Sequence, residues 1–175
     1  MSSAFKGGLI AAAIGFAGPV MADCRIDAAD LDLATKKRFQ QDFFNAVVIA
    51  RPEFTEVARA NLDLQLAMAT SRRMKLTHLA RTAPERLVTN RGVSAFSNAD
   101  WTRGDDKALR AADPAYDQLV AQIATLSSAN QRHPDWPALR QWARNDPDGR
   151  ATVIRLAGEL QERQAEVAEA LSACQ

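Results

Sequence analysis

The chain of 175 residues has little of what most protein chemistry is built from. It contains two cysteines, Cys24 and Cys174, and two histidines, His78 and His133. A metal site needs several ligands at workable spacing, and no His/Cys/Glu cluster here supplies them. No Cys-x-x-Cys is present, which excludes the thioredoxin-type redox motif. Gly-x-Ser-x-Gly is missing, and so is the Gly-x-x-x-x-Gly-Lys phosphate loop. No cofactor is called for. Neither sign of charge dominates, with 22 basic against 21 acidic side chains, so there is no polycationic footprint for nucleic acid. No apolar run reaches the roughly 20 residues of a membrane-spanning helix. Aromatics make up 6%, and β-branched residues are few, a composition that favours helix over strand. The best strand candidate, Arg86-Leu87-Val88-Thr89, is too short to carry a sheet.

What is present begins with an export signal over residues 1–22. Lys6 supplies the positive start, and Leu9 to Val20 is apolar and short, with Gly15, Gly18 and Pro19 in it. Val20-Met21-Ala22 has the residue types of a cleavage site, so cleavage is expected between Ala22 and Asp23. Lipid attachment at Cys24 would need a small neutral residue where Asp23 stands. Residues 23–175 are then one domain, large enough for a real core. Loss of Lys6 brings its charge to zero. The expected location is periplasmic or secreted.

Export decides how the cysteines are read, because paired thiols persist in an oxidising compartment. Cys24 and Cys174 are expected to form a structural disulfide joining the two ends of the mature chain.

Turn signals divide the mature chain into five helical stretches. The first runs from about residue 28 to Ala50, with Phe39, Phe43, Val47 and Ala50 on one face. Arg51-Pro52 ends it. The second, from about Glu53 to Arg81, has two stripes: Val57, Ala60, Leu64, Ala67, Ser71, Met74 and His78, then Leu62, Leu66, Ala69 and Leu76. Two apolar faces predict a central helix with neighbours on both sides. Arg72, Arg73, Lys75 and Arg81 crowd its last third, where the helix dipole favours cations. Asp113-Pro114 and Asp146-Pro147 read as caps followed by proline at the first helical position. They open the third and fifth stretches, with a short fourth from His133 between them. On the last, Val153, Ala157, Leu160, Gln164, Val167, Leu171 and Cys174 form a seam in which Gln164 is the polar member. The expected fold is all-α: an antiparallel bundle of about five helices, with a long irregular segment between the second and third.

That segment, residues 84–112, is the most informative part. Connections of such length are uncommon and usually functional or disordered. It carries Arg91, Phe96, Trp101 and Arg103, and Trp with Arg is the pairing enriched at binding hot spots. These four are the candidate partner-binding residues. The competing reading makes Phe96 and Trp101 buried plugs. The Gly-Asp-Asp-Lys run at 104–107 reads as a solvated turn. His78, on an apolar stripe near a helix end, has a structural role.

Two functions follow as expectations. The first is a non-enzymatic module that binds another envelope protein or an envelope component, of inhibitor, immunity or accessory type. Its aromatics would be exposed on a flat or convex patch. The likeness does not extend to the helical periplasmic chaperones, whose Leu-Thr-x-x-Gln motif would need Gln where Ala80 follows Leu76-Thr77. The second is a small secreted helical enzyme whose arginines surround a concave pocket and hold an anionic small molecule.

Overall fold

Proline and aspartate cut this chain where the backbone cannot or need not continue a helix. The computed structural model describes residues 18–87, 96 and 99–174, with side chains from Cys24 onward. The described residues form six α-helices and no strand. They are α1 (Gly18–Ala50), α2 (Thr55–Thr82), α3 (Arg103–Ala112), α4 (Pro114–Arg132), α5 (Trp136–Asn145) and α6 (Pro147–Ser172), with short 3-10 turns at Pro52–Phe54 and Pro84–Arg86. Residues 1–17 of the expected export signal and Arg91 lie outside the described residues. α1 starts at Gly18 and continues through the expected cleavage junction at Ala22. Among the described residues no helix is long and apolar enough to cross a membrane.

Both Asp-Pro devices act as caps. The Asp113 carboxylate accepts from the backbone N–H groups of Ala115 and Tyr116 at 3.0 and 3.3 Å. Asp146 does the same for Asp148 and Gly149 at 3.0 and 3.2 Å. Each thereby satisfies donors that a helix start leaves unpaired.

One expectation is corrected. Residues 84–112 are not irregular throughout, because α3 occupies Arg103–Ala112. Its start is a reciprocal capping box. The Thr102 hydroxyl accepts from Asp105 N–H at 3.2 Å, and the Asp105 carboxylate accepts from Thr102 N–H at 2.8 Å. The Gly-Asp-Asp-Lys run is therefore the first turn of a helix, where carboxylates favour the dipole.

α2 is the central helix, packed on α1, on α4 and, near its start, on α5; α6 closes against α1 and α5. Two apolar clusters form the core. One joins Ala28 and Ala29 of α1, Leu76, Leu79 and Ala80 of α2, Leu87, Phe96, and Val167 and Leu171 of α6. The other joins Phe44 and Val47 to Phe54, Val57, Ala58, Leu62, Leu139 and Trp142. The Cys24–Cys174 disulfide closes the first end, with Cα atoms 5.7 Å apart, tying α1 to the turn after α6.

Candidate functional site

The two core clusters do not meet. Along α2 the second ends at Leu62 and the first begins at Leu76. The same gap recurs on α1 between Ala29 and Phe44. In it, polar side chains enter the interior beside Leu64, Ala67 and Ala69: Asp32, Ser71 and Gln164 are buried, and Lys36, Gln40, Gln65 and Arg72 are half-buried. Polar side chains held between two apolar layers do not close up as aliphatic ones do, because each must keep a hydrogen-bond partner. A cavity of about 610 Å³ lies there, within the range of small-molecule sites.

Its floor is α2, from Gln65 through Met68, Ala69, Arg72 and Lys75 to Leu79. One wall is Phe39 of α1 with Leu160 of α6, and the other is Tyr116, Val120 and Ile123 of α4. Phe96, Ala99 and Trp101 close one end. The cavity is wide because α4 packs chiefly on α2, while α1 is engaged with α2 and α6. Val120 and Ile123 accordingly stay only half-buried.

Asp32 organises one side. It is 1% exposed and accepts from three helices: from Lys36, one turn along α1, from Arg72 Nε of α2 at 3.4 Å, and from Gln164 Nε2 of α6 at 2.9 Å. Arg72 also donates to the Phe96 carbonyl at 2.7 Å, which fixes that residue over the cavity end. Burial holds the Lys36 ammonium below its ordinary pKa, and the neighbouring Arg72 charge works the same way; the Asp32 carboxylate opposes both.

Tyr116 organises the opposite side. Its ring is fully buried, and its hydroxyl donates to Asp106 Oδ1 at 2.7 Å. Burial, then the Asp106 carboxylate, pushes the phenol pKa well above its usual value. Ser71 lies beside the phenol and pulls its pKa slightly the other way. The Tyr116 hydrogen bond, with Arg110 at 2.9 Å and the charge of Lys75, holds Asp106 below the ordinary carboxylate range.

Lys75 differs from the other two cations. Its ammonium lies 5.2 Å from the centroid of the Trp101 ring, within cation-π range. Among the described residues, no carboxylate is within ion-pair distance of it. His78 meets the same ring edge-on, with centroids 5.8 Å apart.

The four residues expected to bind a partner are not brought into one patch. Phe96 is 1% exposed and belongs to the core. Trp101 is half-buried and lines the cavity. Arg103 starts α3 as an exposed residue. What binds the segment down is Arg86, whose guanidinium donates to Asp105 at 2.6 and 3.0 Å and also to the Asp100 carbonyl. Lys36, Arg72, Lys75, Asp106 and Tyr116 were not picked out as site residues by sequence. Among the described residues, no group of three or more His, Cys, Asp or Glu side chains could hold a metal ion. One arginine and two lysines line the cavity, with apolar surface around them. That arrangement can hold a molecule with an anionic group and an apolar body.

Comparison with known proteins finds no family model that the chain matches, and no curated protein or solved structure that it resembles.

Proposed function

We propose that this chain is an exported, periplasmic or secreted, non-enzymatic binding protein whose helices form an antiparallel bundle, and that the envelope component it binds is a small amphipathic anion. The observation that carries this reading is the cavity between α1, α2 and α4, apolar in most of its lining and furnished with Lys36, Arg72 and Lys75. A burial of Phe96 to 1% weighs against a protein partner docking on that aromatic. The disulfide supports export, since such bonds persist in oxidising compartments.

Titration with an anionic amphipathic dye that fluoresces in apolar surroundings tests it. Saturable binding at one site is expected, and Ala69→Trp, which fills the cavity floor, should abolish it. A wild-type protein that binds no dye, or a variant that binds it equally well, would overturn the reading. Export is tested separately. Mass spectrometry of the secreted protein should give a chain that starts at Asp23 and gains about 2 Da on reduction of one disulfide.

A second reading, the small secreted enzyme acting on an anionic molecule, is favoured by the Tyr116–Asp106 hydrogen bond at the cavity wall. It requires that a ligand recovered from the protein be chemically altered on incubation, and ligand mass spectrometry reads that directly.

A further inference from the structure

We infer that the ligand of this cavity is a single-chain monocarboxylate, an unbranched fatty acid, whose carboxylate is received by Lys75. The inference rests on the binding reading above and adds the ligand class to it.

The head position follows from which cation still has donors to give. Lys36 is bonded to Asp32, and Arg72 to Asp32 and the Phe96 carbonyl. Lys75 has three N–H donors, and its ammonium faces the Trp101 ring. A ring face attracts a cation but accepts no strong hydrogen bond, so an incoming carboxylate can take those donors while Trp101 keeps the ammonium in place.

The charge of the head follows from the balance around it. Lys36, Arg72 and Lys75 line the cavity and Arg110 pairs with Asp106 behind it; these four cations meet three carboxylates, Asp106 on the lining, with Asp32 and Asp117 outside it. One positive charge is in excess. A monoanion cancels it. A phosphate dianion would leave a negative charge in a largely apolar enclosure, which is costly, and a cationic amphiphile would add to the excess.

The tail follows from the shape and lining. From Lys75 to Gln65 the floor runs ten residues of α2, about 15 Å at the helical rise of 1.5 Å per residue. Past Lys36 and Arg72, whose charges Asp32 screens, the lining is Phe39, Met68, Val120, Ile123 and Leu160. Beyond Arg72 this part of the lining has Phe39 as its one ring and is otherwise aliphatic or thioether, which suits a flexible chain. Met68, 47% exposed, stands at its edge as an adaptable apolar side chain.

The experiment compares four probes of one chain length by titration calorimetry on the disulfide-intact protein: hexadecanoate, hexadecyl phosphate, hexadecyltrimethylammonium and hexadecanol, each below its micellar concentration. Hexadecanoate is expected to bind one equivalent, with at least about tenfold higher affinity than the other three, the scale of a charge-assisted hydrogen bond. Lys75→Met should remove that preference while hexadecanol binding stays as it was, and Lys75→Arg should keep it. Circular dichroism establishes that both variants fold. If hexadecanoate binds no better than hexadecyl phosphate or hexadecanol, or if Lys75→Met leaves its affinity unchanged, the monocarboxylate assignment fails and the cavity reading survives. If none of the four binds, and Ala69→Trp also leaves dye binding unaffected, both fail.

Discussion

A buried carboxylate shared by two cations and an amide is stable only while all its partners remain. Asp32 draws Lys36, Arg72 and Gln164 together from three helices. Its removal strands donors that were positioned for it. Asp32→Ala should therefore lower unfolding free energy by about 3 kcal/mol, the lower end of the usual cost of breaking a buried pair, since Lys36 and Arg72 keep some contact with water. Urea denaturation measures it, and a loss under 1 kcal/mol would mean the network is dispensable. Tyr116 offers a cleaner readout, because it is the one tyrosine of the chain. Its pKa is raised in the folded state, so its contribution to stability is complete below the ordinary phenol value near 10 and disappears as pH rises through the higher folded value. In an alkaline absorbance titration the native protein should still hold an un-ionised phenol at about pH 11, where the urea-unfolded chain is phenolate. Asp106→Asn should bring the midpoint down only partway, as burial is the larger cause. A native midpoint near 10 would contradict the buried geometry. Of these residues, Gln164 was visible in sequence as the polar member of an apolar seam. Asp32 was not, because it sits beside Ala28 and Ala29 in a helix turn without a strong periodic signal, and its two partners on other helices lie 40 and 132 residues away. Arg72 and Lys75 were legible only as cations near a helix end. Which of them faces inward depends on where α4 comes to rest.

Helices with a strong apolar period or an Asp-Pro start could be read directly, and α2, α4 and α6 lie within a few residues of where the pattern puts them. α3 could not, since it buries one leucine, Leu109, and its first turn has the composition of a loop. Its start is held by its cap, and that makes it sensitive to acid. Arg86 and Thr102 hold the Asp105 carboxyl far below the usual value of 3.8. A depressed folded pKa gives stability that is present above the ordinary carboxylate pKa and is lost as pH falls toward the folded value. Wild type and Asp105→Asn should therefore differ in melting temperature at pH 6, and the difference should shrink steadily below about pH 4. A gap independent of pH would mean the carboxylate charge contributes nothing to the cap. Thr102→Ala, which removes the other half of the box, should cost about 1 kcal/mol. The α5–α6 corner is limited by space instead of charge. A Cβ at Gly149 would meet the Trp142 carbonyl and ring, so Gly149→Ala should destabilise the protein by about 1–3 kcal/mol, as overpacking does.

At the scale of the whole molecule, α1 and α6 form the wall of the cavity that no chain connection holds in place. They are 97 residues apart in sequence from the end of one to the start of the other. What joins them is the apolar end cluster, the Asp32–Gln164 hydrogen bond, the Arg163–Asp42 ion pair at 3.7 Å, and the disulfide. The bridge spans 150 residues of sequence. Restricting a loop of that length in the unfolded chain is worth about 5 kcal/mol on the chain-entropy model, and disulfides commonly deliver about 2–4. For a domain of this size that corresponds to a fall in melting temperature of roughly 5–15 °C on reduction. Cys174→Ala should reproduce the fall without any reductant, and reductant should then have no further effect on the variant. Because the bridge joins the ends of α1 and α6 that carry Ala28 and Leu171, members of the same apolar cluster as Phe96, the same change should also weaken dye binding at temperatures well below the melt. A melting temperature unaffected by reduction would mean that the helix contacts alone hold this wall. Dye affinity that stayed constant while the melting temperature fell would separate the staple from the site, making the disulfide a device for global stability and not a part of the cavity's construction.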